Sequence, residues 1–375
     1  MAGKTLRDLL GFVAFMEEYK QIKSGVPKLL PEAFYTPSPM KVRSDRTRQL
    51  IKTGSRATSK RVAWGGVPAR IDQLSTGSKD IVLCHTLESM AFDPHLLHEL
   101  RNARVVGGDG IGDAAADQIL YQTAEMKQRS VNTRISTIMT ALSLTSQCTI
   151  NWDVNGNLLP SQSSADLTID FGVPANNKNQ CNSALTASWA TASTDIPSNI
   201  KTLKTNAAQL TGKDLTHCFY GKNLPSNLAK NDFVKDYWSH SSRNTEWLTS
   251  NEIPDGFLGI QKWIPVYTGF FEDASGTNQA LFAADQCTFT PDPEEFYKLL
   301  EGTALVPNAF GKVSQSLDVV GMLEMASTRV GQYAFAMGSI DSGAIEISIV
   351  QGDTWLPMIN SVGAACPIFA CDFEF

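Results

Sequence analysis

"VVGGDGIGDAAADQI", Val105 to Ile119, is the stretch on which the reading of the fold turns. Four glycines crowd ahead of what looks like a helix start, as they would in a nucleotide-binding loop. The spacing excludes that chemistry. Gly107, Gly108, Gly110 and Gly112 offer no G-x-G-x-x-G, and no Gly-Lys-Ser/Thr comes after them. A dinucleotide loop also succeeds a buried strand, whereas "HELRNARVV" is charged until its last two residues. Asp109 and Asp113 would repel a phosphate but suit the positive end of a helix dipole. The stretch therefore reads as a flexible joint and N-cap leading into a helix.

The segment beyond the joint carries the strongest periodic signal in the chain. Ala116, Ile119, Leu120, Ala124, Val131, Ile135, Ile138, Met139 and Leu142 recur mostly three or four apart. No proline or glycine interrupts Asp113 to Leu144. At 1.5 Å per residue that predicts a helix of ~50 Å, against an ordinary mean of about 11–12 residues. Asp117, Gln118, Lys127, Gln128 and Thr133 are placed on its opposite face.

Upstream, Leu9, Leu10, Val13, Met16 and Tyr19 mark a short amphipathic helix over Thr5 to Lys20. "SGVPKLLPEAFYTPSP" carries four prolines and reads as an extended arm. The arm continues into a basic segment. Between Lys41 and Arg61 eight basic residues, among them Arg43, Arg46 and Arg48, face one acid, Asp45. That segment carries +7, so the rest of the chain, against a total of −6, carries −13. Such an arm can bind nucleic acid or the acidic surface of another copy. No aromatic residue interleaves its charges, which favours the protein partner. "RVAWGGVPARI" and "IVLCHTLESMAF" then read as the two strands of a long ribbon. Gly65-Gly66 supplies a bulge, and Pro68 excludes a central strand. A two-stranded ribbon is marginal alone in water and needs a surface to lie on.

Downstream, "CTINWDVNG" and "ADLTIDFGVP" each contain a short strand. "TDIPSNIKTLKTNAAQLTG" reads as a helix capped by Thr194 or Asp195, with Pro197 in its first turn and Gly212 ending it. Ile200, Leu203, Ala207 and Leu210 are assigned to its inner face. "THCFYG" is a strand, "LPSNLAKNDFVKDYW" a helix, "GIQKWIPVYTGFF" and "QALFAADQCTFT" strands, and "DPEEFYKLLEG" a short helix. The end of the chain returns to strands in "QYAFAMG", "AIEISIVQGDTWLPMI" and "ACPIFACDFEF". The fold class is α+β.

No catalytic constellation emerges. His95 and His98 lie three apart without H-E-x-x-H or a third local ligand. His217-Cys218 and Cys84-His85 are adjacent on strands and so point to opposite faces. Cys366 and Cys371 are not C-x-x-C and read as buried free thiols, as do the irregularly spaced seven cysteines of a chain expected in a reducing compartment. Asp153, Asp166 and Asp170 would need a glycosidase-like geometry to act as an acid pair. No cofactor or metal is called for. No apolar run has membrane-spanning length, and the N-terminus lacks a secretory cleavage pattern.

The order of parts, with "DLTIDFGVP", "SWATASTDIPSNI" and "IQKWIPVY", resembles the major capsid proteins of tailed bacteriophages, specifically the lambda-type E family with the Hong Kong 97-like fold. The resemblance implies architecture: an N-terminal arm over residues 1–55, an extended loop over 56–104, a peripheral domain with the spine helix over 105–185 and 335–375, and an axial domain over 186–334. It implies a subunit interface around Arg43, Arg46, Arg48, Arg61, Trp64, Arg70, Lys79, Val82 and Met90. Lys79 is a positional candidate for the lysine–asparagine crosslink of some relatives. It implies a non-enzymatic shell protein whose partners are itself, in hexameric and pentameric capsomers, a portal, a scaffold or protease, and a decoration protein. Double-stranded DNA would be packaged inside without sequence-specific binding, and the shell would assemble in the bacterial cytoplasm. An encapsulin-like compartment for protein cargo is the alternative within the fold. An α/β enzyme with an unrecognised acid pair or metal site is the alternative outside it.

Overall fold

The computed structural model describes residues 40–42, 46–52, 76–92, 114–150, 167–238, 252–267, 269–272, 278–302, 331–341, 344–359 and 366–375. In chain order these form β1 (Met40–Lys41), β2 (Arg46–Lys52), β3 (Thr76–Val82), β4 (Cys84–Phe92), α1 (Ala114–Leu142), β5 (Gln147–Ile150), β6 (Leu167–Asp170) and β7 (Lys178–Asn179). Next come α2 (Ile196–Thr211), β8 (His217–Tyr220), α3 (Leu224–Lys230), α4 (Asp232–Trp238), β9 (Lys262–Pro265), β10 (Phe270–Glu272), β11 (Asn278–Ala280) and β12 (Gln286–Thr290). The chain closes with α5 (Pro293–Phe296), β13 (Tyr297–Glu301), β14 (Tyr333–Asp341), β15 (Ala344–Ile359) and β16 (Phe369–Asp372). The helix predicted at Thr5–Lys20, the proline-rich arm, the glycine joint itself and the strand around Trp64 lie outside the described residues.

The helix predicted from Asp113 to Leu144 is α1, 29 residues long, or roughly 44 Å. Ile119, Ala124, Ile135, Ile138, Met139 and Leu142 are buried as expected. The polar face is narrower than the sequence suggests. Gln128 is buried, because it stands four residues after Ala124 and three before Val131, on the stripe itself. Hydroxyls of Thr123, Thr133, Thr137 and Thr140 bond back to carbonyls four residues earlier, satisfying themselves inside a packed helix.

The first sheet is organised by β15. Residues 347–352 of this 16-residue strand pair with β4 and with β14 at once, so those two flank it on opposite edges. β13 continues along the β14 edge, pairing Tyr297–Glu301 with Ile359–Trp355, and β1 adds to β13 in parallel. Pro357 is tolerated in so central a strand because β4 stops at Trp355, where one edge no longer asks for a donor. Tyr333 stands opposite Gly352, and any Cβ there would collide with the tyrosine ring.

The second sheet has the order β7-β16-β12-β8-β9 and is covered on both faces. Cys218, Tyr220 and Trp263 join a core with Trp189, Ile196, Ile200, Leu203 and Phe373. Their neighbours Phe219 and Ile264 join the other core, with Ile138, Leu142, Tyr297 and Leu356. Strand alternation thus makes one sheet the wall between two cores, which is why "HCFY" and "QCTFT" are buried throughout. Thr288 Oγ1 and Gln286 Nε2 donate to the Leu142 carbonyl at 2.8 and 3.4 Å, closing the C-terminal end of α1 onto β12.

α2 matches its prediction at both ends. The Asp195 side chain accepts from the Ser198 amide, a proline stands at the start, and Gly212 closes the helix at φ 80. Leu210, assigned inward, is 42% exposed; it falls on the last turn, beyond the reach of the core. The predicted helix over residues 224–238 is two helices broken at Asn231, whose buried amide donates to Ala192 and Thr194 carbonyls. "DPEEFYKLLEG" is helical only through Phe296. From Tyr297 it is a strand, because β15 offers a ladder along which Tyr297, Leu299 and Leu300 are buried. The two strands expected around "GIQKWIPVYTGFF" and "QALFAADQCTFT" are four, β9 to β12.

Candidate assembly surface

The ribbon exists, but with other strands than the sequence suggested. β2 pairs antiparallel with β3 from Arg46–Val82 at one end to Lys52–Thr76 at the other. Among the described residues no third strand joins either of them. Residues 46–52 of the basic segment are therefore one strand of the ribbon, not part of a free arm ahead of it, and Lys41 lies in β1. The stretch expected as one return strand from Ile81 to Phe92 divides at Leu83, which is 1% exposed and belongs to the first core. Before it the chain pairs with β2; after it β4 pairs with β15. β4 thus lies on an edge of β15, and the hairpin partner expected for it, residues 61–71, lies outside the described residues.

This places the candidate interface residues. Arg46 and Arg48 lie in β2, opposite Val82 and Asp80, and Lys79 lies opposite Gln49 in the middle of the ladder, away from a tip. Met90 is not in the ribbon: it is half-buried in β4, opposite Ile349 of the same chain. Arg43, Arg61, Trp64 and Arg70 lie outside the described residues.

The best-built polar group lies elsewhere, between α1 and β15. Arg134 forms a fork onto Asp353, with Nε and Nη2 each 2.6 Å from a carboxylate oxygen, and Nη1 reaches Glu301 at 2.9 Å. Ser130 Oγ donates to Asp353 at 2.9 Å and itself accepts from Gln332 Nε2 at 3.0 Å. Asp353 has no exposed side-chain surface. Burial disfavours the Arg134 charge, but its hydrogen bonds and charge contacts with Asp353 and Glu301 outweigh this and raise its pKa. The guanidinium also lies 5.7 Å over the Trp355 ring. Two residues before Asp353, Gln351 Nε2 makes a separate tie from β15 to α1 by donating to the Met126 carbonyl at 3.0 Å. Sequence reading missed this cluster, although its signal was present: Arg134 sits three residues after Val131 and four before Ile138, on the apolar stripe, where a charge must be met.

The remaining candidates do not assemble. His217 is buried beside Thr216 Oγ1 at 2.8 Å, and burial lowers its pKa. The neighbouring Cys218 contacts Cys287, and burial first, then that contact, raises the Cys218 pKa. Cys366 is a buried thiol, pushed up to about 12 by burial. Cys371 is not a free thiol: it is disulfide-bonded to Cys181, 190 residues away. Asp170 accepts from the Gly172 amide at 2.8 Å, while Asp153, Asp166, His95 and His98 lie outside the described residues. Among the described residues no His, Cys, Asp or Glu group is arranged to hold a metal, and no helix is long and apolar enough to cross a membrane. A groove of about 560 Å³ along α2 is lined by Lys201, Lys204 and Leu258, and Lys204 is already engaged by the Gly259 carbonyl and Asp214.

Residues 97–299, more than half of the chain, match the model of the family described as phage major capsid protein E. No curated protein matches significantly. Among solved structures, a protein of an E. coli CFT073 prophage assigned as its capsid protein is similar at TM-score 0.52 and 15% identity, over 79% of each chain. A phage-related protein of Bordetella bronchiseptica RB50 is similar at 0.43 and 11%, covering 96% of this chain and 95% of that one. The capsid of Myoviridae phage XM1 is similar at 0.41 and 9%, covering 92% and 93%. At these identities the similarity concerns the fold, and of these three the first alone has the TM-score to argue it: an α+β capsid fold of the Hong Kong 97 type. With the family match spanning α1, α2 and four of the five strands of the second sheet, β7, β8, β9 and β12, the chain belongs to the phage major capsid protein E family, whose members form the phage shell.

Proposed function

We propose that this chain assembles with copies of itself into a closed icosahedral shell that encloses a tailed phage's double-stranded DNA. The observation that carries the reading is the β2–β3 ribbon, a basic two-stranded element with no third strand among the described residues, attached to a body with two well-formed cores. Such a ribbon gains little by standing alone, and the acidic remainder of the chain is a complementary partner for it. Arg46, Arg48, Lys79 and Val82 are the proposed contacts within it, extended by Arg43, Arg61, Trp64 and Arg70. In this division the loop is residues 46–82. β4, α1, β13, β14 and β15 form the peripheral part, and α2 with the second sheet forms the axial part. β16, at the C-terminus, returns to the axial sheet. DNA is held inside by confinement, not by base recognition. A portal, a scaffold or protease, and a decoration protein are the further partners, and assembly takes place in the bacterial cytoplasm.

Electron microscopy of the expressed protein, with nuclease treatment before and after opening the particles, tests this. Closed shells hundreds of ångströms across support it. A small monodisperse species that never closes under any salt condition sinks it, and shells carrying only protein cargo favour a compartment.

A further inference from the structure

Four cysteines lie together in the core behind the second sheet. Cys181, Cys218, Cys287 and Cys371 all have 0% exposure. Cys371 of β16 is bonded to Cys181, with Cα atoms 5.8 Å apart, the usual separation for a disulfide. Cys287 stands directly opposite Cys371 in the β12–β16 ladder. Cys218 contacts Cys287 from β8. Metal binding is not the explanation, since these residues make no metal-holding group.

The register explains why Cys371 is joined to Cys181 and not to Cys287. Two residues along, the Phe373 amide donates to the Asp285 carbonyl at 3.0 Å. Antiparallel ladders alternate, so Cys287 and Cys371 are also a hydrogen-bonded pair. Cβ atoms at such positions stand ~5.5 Å apart, wider than the roughly 3.5–4.5 Å a disulfide prefers.

The bond acts on a short strand with few ladder partners. β16 pairs with β12 over four residues and with β7 over two. The same junction carries the Asn177 side chain, which donates to the Cys366 and Ile368 carbonyls at 2.9 and 3.1 Å. Beyond it, the Trp189 amide donates to the Phe373 carbonyl and the two rings stack. We propose that Cys181 and Cys371 form a reversible thiol–disulfide lock that pins the C-terminal strand to residues 175–185. The lock closes when a small-molecule disulfide accepts the two electrons. When β16 opens locally from the sheet, one cysteine thiolate attacks that small-molecule disulfide, releasing one thiol, and the second cysteine displaces the other as the strand closes. Two protein protons end on the two released thiols, and one protein disulfide is formed. The bond closes a loop spanning 190 residues, so it restricts the unfolded chain strongly. Cys218 and Cys287 stay reduced beside it. The inference concerns the folded chain and does not depend on shell formation.

The test counts thiols in the full chain. Protein reduced with dithiothreitol, or then oxidised with glutathione disulfide, is denatured, alkylated and weighed, and thermal midpoints are read on the native samples. The expected result is all seven cysteines labelled after reduction and two fewer after oxidation, with the linked peptide joining Cys181 to Cys371. Oxidation should raise the midpoint by roughly 5–15 °C, and Cys181→Ser should make it indifferent to either reagent. Undiminished labelling after oxidation, a bond mapped to Cys287 or Cys218, or label loss with no change in midpoint each overturns the lock.

Discussion

Asp353 shows how a single residue sets the local chemistry. It accepts from both arms of Arg134 and from Ser130 while having no exposed surface of its own. A buried pair of this kind adds little over apolar residues of the same volume, but half of one is costly. Asp353→Ala should therefore lower stability by about 3–5 kcal/mol in denaturant unfolding, while Arg134→Met with Asp353→Leu should recover most of that loss. If the double variant is no better than the single, the hydrogen bonds themselves are what matters. His217 makes a pH prediction of the opposite character. Burial lowers its folded pKa below the ordinary 6.5, so the unfolded chain binds the proton more readily. Stability is then intact above 6.5 and falls as pH drops below it. His217→Gln should flatten that fall in urea titrations between pH 7 and 5.

At the scale of elements, α1 is the part that everything else is hung on. Ala124 is buried near its middle. Ala124→Pro removes a backbone donor and clashes with the preceding turn, a cost of about 3 kcal/mol or more. The variant should aggregate, and normal shells from it would show that α1 tolerates a break. How well an element can be read from sequence depends on what fixes it. α1 and α2 are set by local periodicity and caps, and they were legible almost to the residue, Asp195 and Gly212 included. β5 and β6 were legible too, each as a short strand, though their pairing with one another was not. The strands that went astray are those whose partners are remote. β4 answers to β15, more than 250 residues later, and nothing near Cys84 states that preference. Tyr297–Glu301 comes after a helix start and became a strand only because β15 was there to pair with it. The disulfide was hidden for the same reason, since Cys181 and Cys371 meet only once β7 and β16 are side by side. Of the candidate interface, Arg46, Arg48, Lys79 and Val82 did fall on a ribbon; Met90 did not, because β4 had a sheet to join.

For the whole molecule, the question is whether the ribbon serves the body or a neighbour. The expectation is that the body folds without it. Two cores are formed by the described side chains of the body, and Leu83, the first residue after the ribbon, is already buried in one of them. The ribbon is also closed at its base, where Arg46 faces Val82. Paired Cα atoms lie about 4.5–5.5 Å apart, so the two ends can be rejoined without disturbing either core. Replacing residues 47–81 by a four-residue Gly-Ser linker should therefore leave a soluble body whose cooperative unfolding midpoint matches the parent within a few degrees. That body should fail to close into shells by electron microscopy. Reversing only Arg46 and Arg48 to glutamate should weaken assembly more mildly, and added salt should weaken assembly of the parent in the same direction, because exposed charges are screened within about 8 Å at physiological ionic strength. Hydrogen exchange gives the sharpest reading. Amides of β2 and β3 should exchange fast in the unassembled protein, while those of β15 stay protected, and assembly should slow them selectively. If the ribbon amides are as slow as β15 before assembly, the ribbon is held by its own chain and its part in joining subunits is lost.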